Sequence, residues 1–326
     1  MTQTASATLD HKVLIAMDGS AASLNAAEYA AHMLGLIPDL HFVLLYVAPA
    51  VPPYLHEGVP DGPKVAKIRQ FQQAGRVQGE KVLGKGRDRL LELKVPAERI
   101  ETRNLPRATG LAKDILNEAE KGRYDALLIG RRGLSRAQEL FMGSVTTQLI
   151  QHAVDVPLWI IDGHVTSPDV MIAVDGSEAS LRAVDQVAFM LGANPKARVH
   201  FLHVVPKLQN VCQVDLDVAV TTMVDQEGDL EMIEEEFRRE SLGCVDDFNA
   251  RAARILQETG FSRDRISTEV REITLGIART ILKAAEEGGY GTVILGRRGL
   301  HHSPFLGSVS DRVIRRAHGV AIWLVV

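Results

Sequence analysis

Two glycine-rich stretches in this 326-residue chain have the residue types and spacing to hold an anion. The first runs Gly130-Arg131-Arg132-Gly133, then nine residues, then Gly143-Ser144. Gly143 and Ser144 stand where a helix is expected to begin, and free amides with the positive end of a helix dipole attract anions there. Ser144 adds a hydroxyl donor. Gly130 and Gly133 are expected to permit positive φ and to let backbone amides approach a ligand closely, with tight turns and close packing alone as the other reading. The second stretch, Gly296-Arg297-Arg298-Gly299 to Gly307-Ser308, encloses seven residues instead of nine, Pro304 among them. That shortening predicts a weaker or empty second site. Asp18 follows an apolar run and would share the first crevice if the first and fourth strands are neighbours.

Other reactive groups read more plainly. Arg131, Arg132, Arg297 and Arg298 could meet phosphate, with solvated ion pairing an equally good reading. Asp18 and Asp175 could also be simple helix-entry residues in Asp-Gly-Ser turns. Gly79-EKVL-Gly84-Lys85 mimics a phosphate-binding Walker loop, but residue 86 is glycine where Ser or Thr is needed. It also lies in a helical stretch with no strand before it, and reads as chance. His200 and His203 are three apart on one strand, so they face opposite ways and make a poor metal pair. Adjacent His301 and His302 read as solvent-facing polar residues, with weak metal binding as the alternative. Cys212 and Cys244 have no metal-ligand spacing and read as inert thiols. Glu234-Glu235-Glu236 reads as a solvated helix face. No catalytic residue and no metal ligand is assigned.

The elements that must position these groups occur twice. HKVLIAMDGSAASLNAAEYAAHMLG (11–35) and PDVMIAVDGSEASLRAVDQVAFMLG (168–192) are identical at more than half their positions without a gap. The copies stay in register at an offset of 157 through HFVLLYVAP and HFLHVVP, and again at 166 from RIETRNLPRATGLA and RISTEVREITLGIA. The second copy therefore carries extra residues within 207–264. A period this long means domain duplication, with domains at 1–163 and 168–326 joined by a short Gly- and Pro-containing linker.

Within a copy, apolar runs alternate with helical patterns. Strands are expected at 12–17, 41–47, 99–105, 125–130 and 157–161. Helices are expected after Ser20 as cap and ending at Gly35, over roughly 64–94, over 109–121 and over 144–153. Alternation of this kind predicts a parallel, doubly wound α/β sheet. The apolar fifth strands, with Trp159 and Trp323, are edges that invite pairing.

Composition excludes several classes. The chain is 46% hydrophobic and 24% charged with net charge −4, which suits a globular protein and argues against a nucleic-acid surface. Two cysteines cannot build a disulfide framework. No apolar run spans a bilayer and the N-terminal residues lack an apolar signal core, so no membrane partner and a cytoplasmic location are expected. Neither copy has a G-x-G-x-x-G after its first strand, which disfavours a nicotinamide dehydrogenase.

With IAMDGS opening the first copy and GRRGLSRAQELFMGSVTTQLI following its fourth strand, the chain resembles the tandem, ATP-binding-motif type of universal stress protein. The resemblance covers nearly the whole chain. It implies two five-stranded parallel sheets ordered 3-2-1-4-5, an adenine nucleotide alpha hydrolase-like fold. It implies binding of ATP, AMP or ADP, with Mg or Mn beside the phosphates. Ala16 and Asp18 would sit near adenine and ribose, and Val47 would meet the base through its backbone. Gly130 and Gly133 would approach ribose and phosphates, and Gly143, Ser144 and Val145 would hold the phosphates. The matching second-copy positions are Ala173, Asp175, Val204, Gly296, Gly299, Gly307, Ser308 and Val309. Pairing through the fifth strand is also implied, giving an internal pseudo-dimer of the two domains or a homodimer. The expected role is a stress-response sensor or regulator with an unidentified protein partner. A slow metal-assisted ATPase and a structural module without nucleotide are the alternatives.

Overall fold

The computed structural model describes residues 11–56, 62–131, 143–205, 245–273, 276–297 and 306–326. It divides into two compact units, Met1–Thr166 and Ser167–Val326.

The first unit runs β1 (Lys12–Ala16), α1 (Ala21–Leu34), β2 (His41–Val47), α2 (Gly62–Glu92), β3 (Ile100–Leu105), α3 (Leu111–Gly122), β4 (Ala126–Gly130), α4 (Ser144–His152) and β5 (Leu158–Ile161). Every pairing is parallel: β3 with β2, β2 with β1, β1 with β4, and β4 with β5. The order is therefore 3-2-1-4-5, which makes β1 and β4 neighbours. The second unit repeats it with β6 (Val170–Val174), α5 (Glu178–Leu191), β7 (Val199–Val205), α6 (245–258), β8 (Ile266–Glu272), α7 (Ile277–Glu287), β9 (Thr292–Gly296), α8 (Ser308–Arg316) and β10 (Ala321–Val325). Here β6 lies between β7 and β9, β7 pairs β8 and β9 pairs β10, again all parallel.

The apolar runs become strands because a parallel sheet is covered on both faces. Val13, Leu14 and Ile15 of β1 are wholly buried, as are Leu127 and Leu128 of β4. Each such side chain contributes about 1.5–3 kcal/mol relative to exposure. Helix α1 packs on β4 and β5 and α2 on β2 and β3, while α3 packs against α4 and β2. Alanines 26, 27, 30 and 31 form the buried side of α1. Trp159 is fully buried, edge-on to Tyr29.

Ser20 caps α1 as expected, its hydroxyl oxygen accepting the Ser23 amide at 3.2 Å. Gly35 does end that helix, but in the right-handed conformation, with its amide on the Ala31 carbonyl. The Gly79–Lys85 segment lies inside α2, and Gly79 is small for a packing reason. A Cβ there would stand 2.4 Å from the Asn104 side chain on β3. No described helix is long and apolar enough to cross a membrane.

Candidate functional site

The carboxyl ends of β1, β2 and β4 bring the predicted residues of the first copy to one edge of the sheet. Ala16 is the last residue of β1, in register with Leu45, and is half-buried. Asp18 opens the turn into α1. Its Oδ1 accepts the Ser20 amide at 2.9 Å and its own amide points at the Ser23 hydroxyl at 3.4 Å. Asp18 is thus both a turn-organising residue and a half-exposed carboxylate at the crevice. Val47 ends β2, opposite Leu105, and is buried.

Gly130 ends β4, and its reason for being glycine is steric. A Cβ at Gly130 would lie 2.5 Å from the backbone carbon of Ala22, so glycine there lets the start of α1 pack against the end of β4. Gly130 does not adopt positive φ, correcting that expectation. Arg131 makes the expected ion pair, but a buried one in place of a solvated one: its side chain donates to Asp162 Oδ2 at 3.2 Å.

The chain returns to the end of β4 at Gly143. The Thr146 hydroxyl donates to the Arg131 carbonyl at 3.3 Å, which seats the start of α4 over β4. The Gly143 carbonyl accepts from the Thr147 amide and hydroxyl at 2.9 and 3.1 Å. Among the described residues, the amides of Gly143, Ser144 and Val145 have no acceptor. Ser144 is exposed and Val145 half-buried. Among the described residues, a Cβ at Gly143 would meet nothing closer than 3.7 Å.

The second copy places Ala173, Asp175, Val204, Gly296, Gly307, Ser308 and Val309 at the corresponding edge, with different bonding. Asp175 is exposed, and its Oδ1 accepts both the Ser177 amide at 3.1 Å and the Ser180 hydroxyl at 2.7 Å. In the first copy the matching Ser23 hydroxyl donates to the Ser20 carbonyl instead. The Gly307 amide is already bonded to the Arg297 carbonyl at 3.0 Å. Asp311 occupies the first turn of α8, where α4 has Thr147, and pairs with Arg315. Arg297 is almost completely buried, so it too is no solvated charge.

Gly133, Gly299, Arg132, Arg298, His301, His302, Pro304, Cys212, Cys244 and Glu234 to Glu236 lie outside the described residues. His200 and His203 do face opposite ways. His200 meets Ser267 and Glu269 and stacks on Tyr290, whereas His203 meets Asn249 and lies edge-on to Phe248. Burial pushes both imidazoles below their ordinary range, against opposing bonds from Glu269 and Asn249.

Two residues of the β3–α3 loop were not singled out from sequence. Asp114 is buried at the start of α3 and accepts the amides of Ala108, Thr109 and Gly110 and the Thr109 hydroxyl. Burial alone would raise its carboxyl, but those four bonds together hold it below the usual carboxylate range. Arg107 precedes that pinned segment, and its Nε is buried with no hydrogen-bond partner among the described residues. The available signal was the copy-to-copy alignment, which puts Thr280 opposite Asp114 and Ile273 opposite Arg107.

The model of the universal stress protein family matches residues 11–162 and again 168–320. The chain is 28% identical over 143 residues to universal stress protein YxiE of Bacillus subtilis (strain 168), which covers 43% of this chain and 92% of that protein. Its fold is similar to that of a universal stress protein from Archaeoglobus fulgidus DSM 4304, with TM-score 0.62, 19% identity and coverage of 97% of this chain and 98% of the other. It is similar in fold to a functionally unknown protein of Pseudomonas aeruginosa PAO1, with TM-score 0.55, 14% identity and coverage of 97% and 92%.

Proposed function

The chain belongs to the universal stress protein family, and from that premise we propose that its first copy binds an adenine nucleotide across the ends of β1, β2 and β4. The observation that carries this reading is the set of acceptor-free amides at Gly143, Ser144 and Val145, seated over β4 and one strand from Asp18. Phosphate oxygens satisfy such amides and meet the positive end of α4. Ala16 and Val47 would then border the base, Asp18 would take ribose hydroxyls, and Gly130 and Gly133 would line the path between. Among the described residues no three His, Cys, Asp or Glu side chains group as a metal site. An accompanying Mg or Mn would therefore be carried chiefly by phosphate oxygens and water, as magnesium commonly is.

The second copy is proposed to bind weakly or not at all. Its Gly307 amide is taken by the Arg297 carbonyl, and the Asp311 carboxylate adds like charge where phosphates would sit.

The role that fits is a nucleotide-dependent sensor or regulator in the stress response. Fast hydrolysis needs a positioned base or water and charge stabilisation at the transferred phosphoryl, and the motif supplies no Walker lysine. One observation favours the rival reading of a purely structural module: Gly130 is glycine for helix packing, so part of the glycine pattern is architectural.

Calorimetric titration of MgATP into nucleotide-free protein, alongside Gly143→Val, separates the readings. The nucleotide reading expects a stoichiometry near one per chain, with affinity falling at least about a hundredfold in the variant at unchanged fold. Absence of binding by folded wild type favours the structural module. Turnover of about 1 s⁻¹ or faster establishes an enzyme instead.

A further inference from the structure

Arg107 lies two residues beyond β3, on a loop whose next three amides are fixed by Asp114. Among the described residues it makes no ion pair, and its buried Nε–H has no acceptor. A buried guanidinium donor left unbonded is costly, whereas a well-placed acceptor would gain a charge-assisted hydrogen bond. The arginine also follows the carboxyl end of β3, at the same edge of the sheet as the ends of β1 and β2. The Tyr46 hydroxyl on β2 is pushed above its ordinary range first by burial, with the positive charge of Arg107 opposing and the negative charge of Asp18 adding. Both charges are therefore felt at one hydroxyl, one residue before Val47. The second copy has no counterpart: Ile273, buried, takes the place of Arg107, and His203 that of Tyr46.

On the reading that the first copy holds a purine nucleotide, we propose that Arg107 contacts the ligand, donating to a ring-nitrogen acceptor of the base and not to the phosphates. Strand order decides between the two ends of the ligand. Hydrogen-bonded strands are about 4.8 Å apart, so β3 lies one spacing from β2 and three spacings, roughly 14 Å, from β4. Val47 at the end of β2 borders the base end, while Gly143 to Val145 over β4 mark the phosphate end. Arg107 thus stands beside the base and across the crevice from the phosphate amides. Purine ring nitrogens accept hydrogen bonds in the plane of the base, and the guanidinium offers planar donors to match. The Asp114 bonds fix the backbone that carries Arg107, so little of the ordering is left for binding to supply.

The test is Arg107→Met, with adenosine and ATP titrated separately into wild type and variant and thermal melting used to check the fold. A base contact predicts that both ligands lose affinity by the same factor, about tenfold, because adenosine keeps the base and lacks phosphates. Arg107→Gln, which keeps one donor, should recover part of that loss. A loss confined to ATP would place Arg107 on the phosphates and overturn the proposal, as would unchanged affinity for both. Wild type that binds neither ligand overturns the nucleotide reading itself, a different result from equal binding by wild type and variant.

Discussion

The two copies share strand order, the Ser-capped first helix and the glycine that ends the fourth strand, yet they finish that strand differently. In the first copy α4 is seated through Thr146 on the Arg131 carbonyl, and the Gly143 amide has no acceptor among the described residues. In the second, the Gly307 amide takes the Arg297 carbonyl and Asp311 enters the first helical turn. After the third strand the first copy has Arg107, ahead of a segment pinned by Asp114, and the second has the buried Ile273. Duplication preserved what the core demands, since the strands of both copies are buried alike, while the loop ends were free to diverge. The two loop ends therefore differ by a handful of bonds on one scaffold, which is the basis of the proposal that they differ in binding.

The sharpest way to break this comparison is to make the same change on both sides. Gly143→Val should abolish measurable MgATP binding, whereas Gly307→Val should leave affinity and stoichiometry unchanged in the same titration. Equal losses from the two variants would show that the second loop binds as well as the first.

A second contrast lies within one loop. Gly130→Ala forces a Cβ against the backbone of Ala22, and overpacking of this kind costs about 1–3 kcal/mol in a denaturant titration. Gly143→Ala meets only ordinary contacts and should stay within about 0.5 kcal/mol of wild type. If Gly130→Ala were as stable as Gly143→Ala, the architectural assignment of Gly130 would be wrong.

The smallest effect concerns pH and the second copy. His200 and His203 have folded pKa values below the ordinary 6.5, chiefly through burial. The unfolded chain therefore binds more protons just below pH 6.5, and stability rises with pH there. The second unit should lose stability as pH falls from about 6.5 toward the lower folded values. Replacing both imidazoles, His200→Gln with His203→Gln, should flatten that slope in denaturation curves at a series of pH values. An unchanged slope would assign the acid sensitivity elsewhere.

Much of the fold was legible because burial leaves a periodic trace. KVLIA, HFVLLYV and ALLIG read as strands, and the repeated Asp-Gly-Ser turn marked both helix entries. Gly130 and Arg131 could be read only as alternatives for one reason: each owes its identity to a neighbour remote in sequence, Ala22 for the glycine and Asp162 for the arginine. Arg107 passed unnoticed because a lone arginine after a strand has no local signature. Its significance depends on an Nε buried without a partner, and burial is a property of the packed chain.

The sequence by itself determined the duplication, the alternating α/β framework, the glycine-serine loop and its shortening in the second copy, since these are patterns of residue type along the chain. The tertiary structure decided which amides lack an acceptor among the described residues, which arginine is held in a buried ion pair and which has a buried Nε without an acceptor there. Those outcomes turn on hydrogen bonds a few ångströms long between residues as distant as Arg131 and Asp162, and no local pattern encodes them.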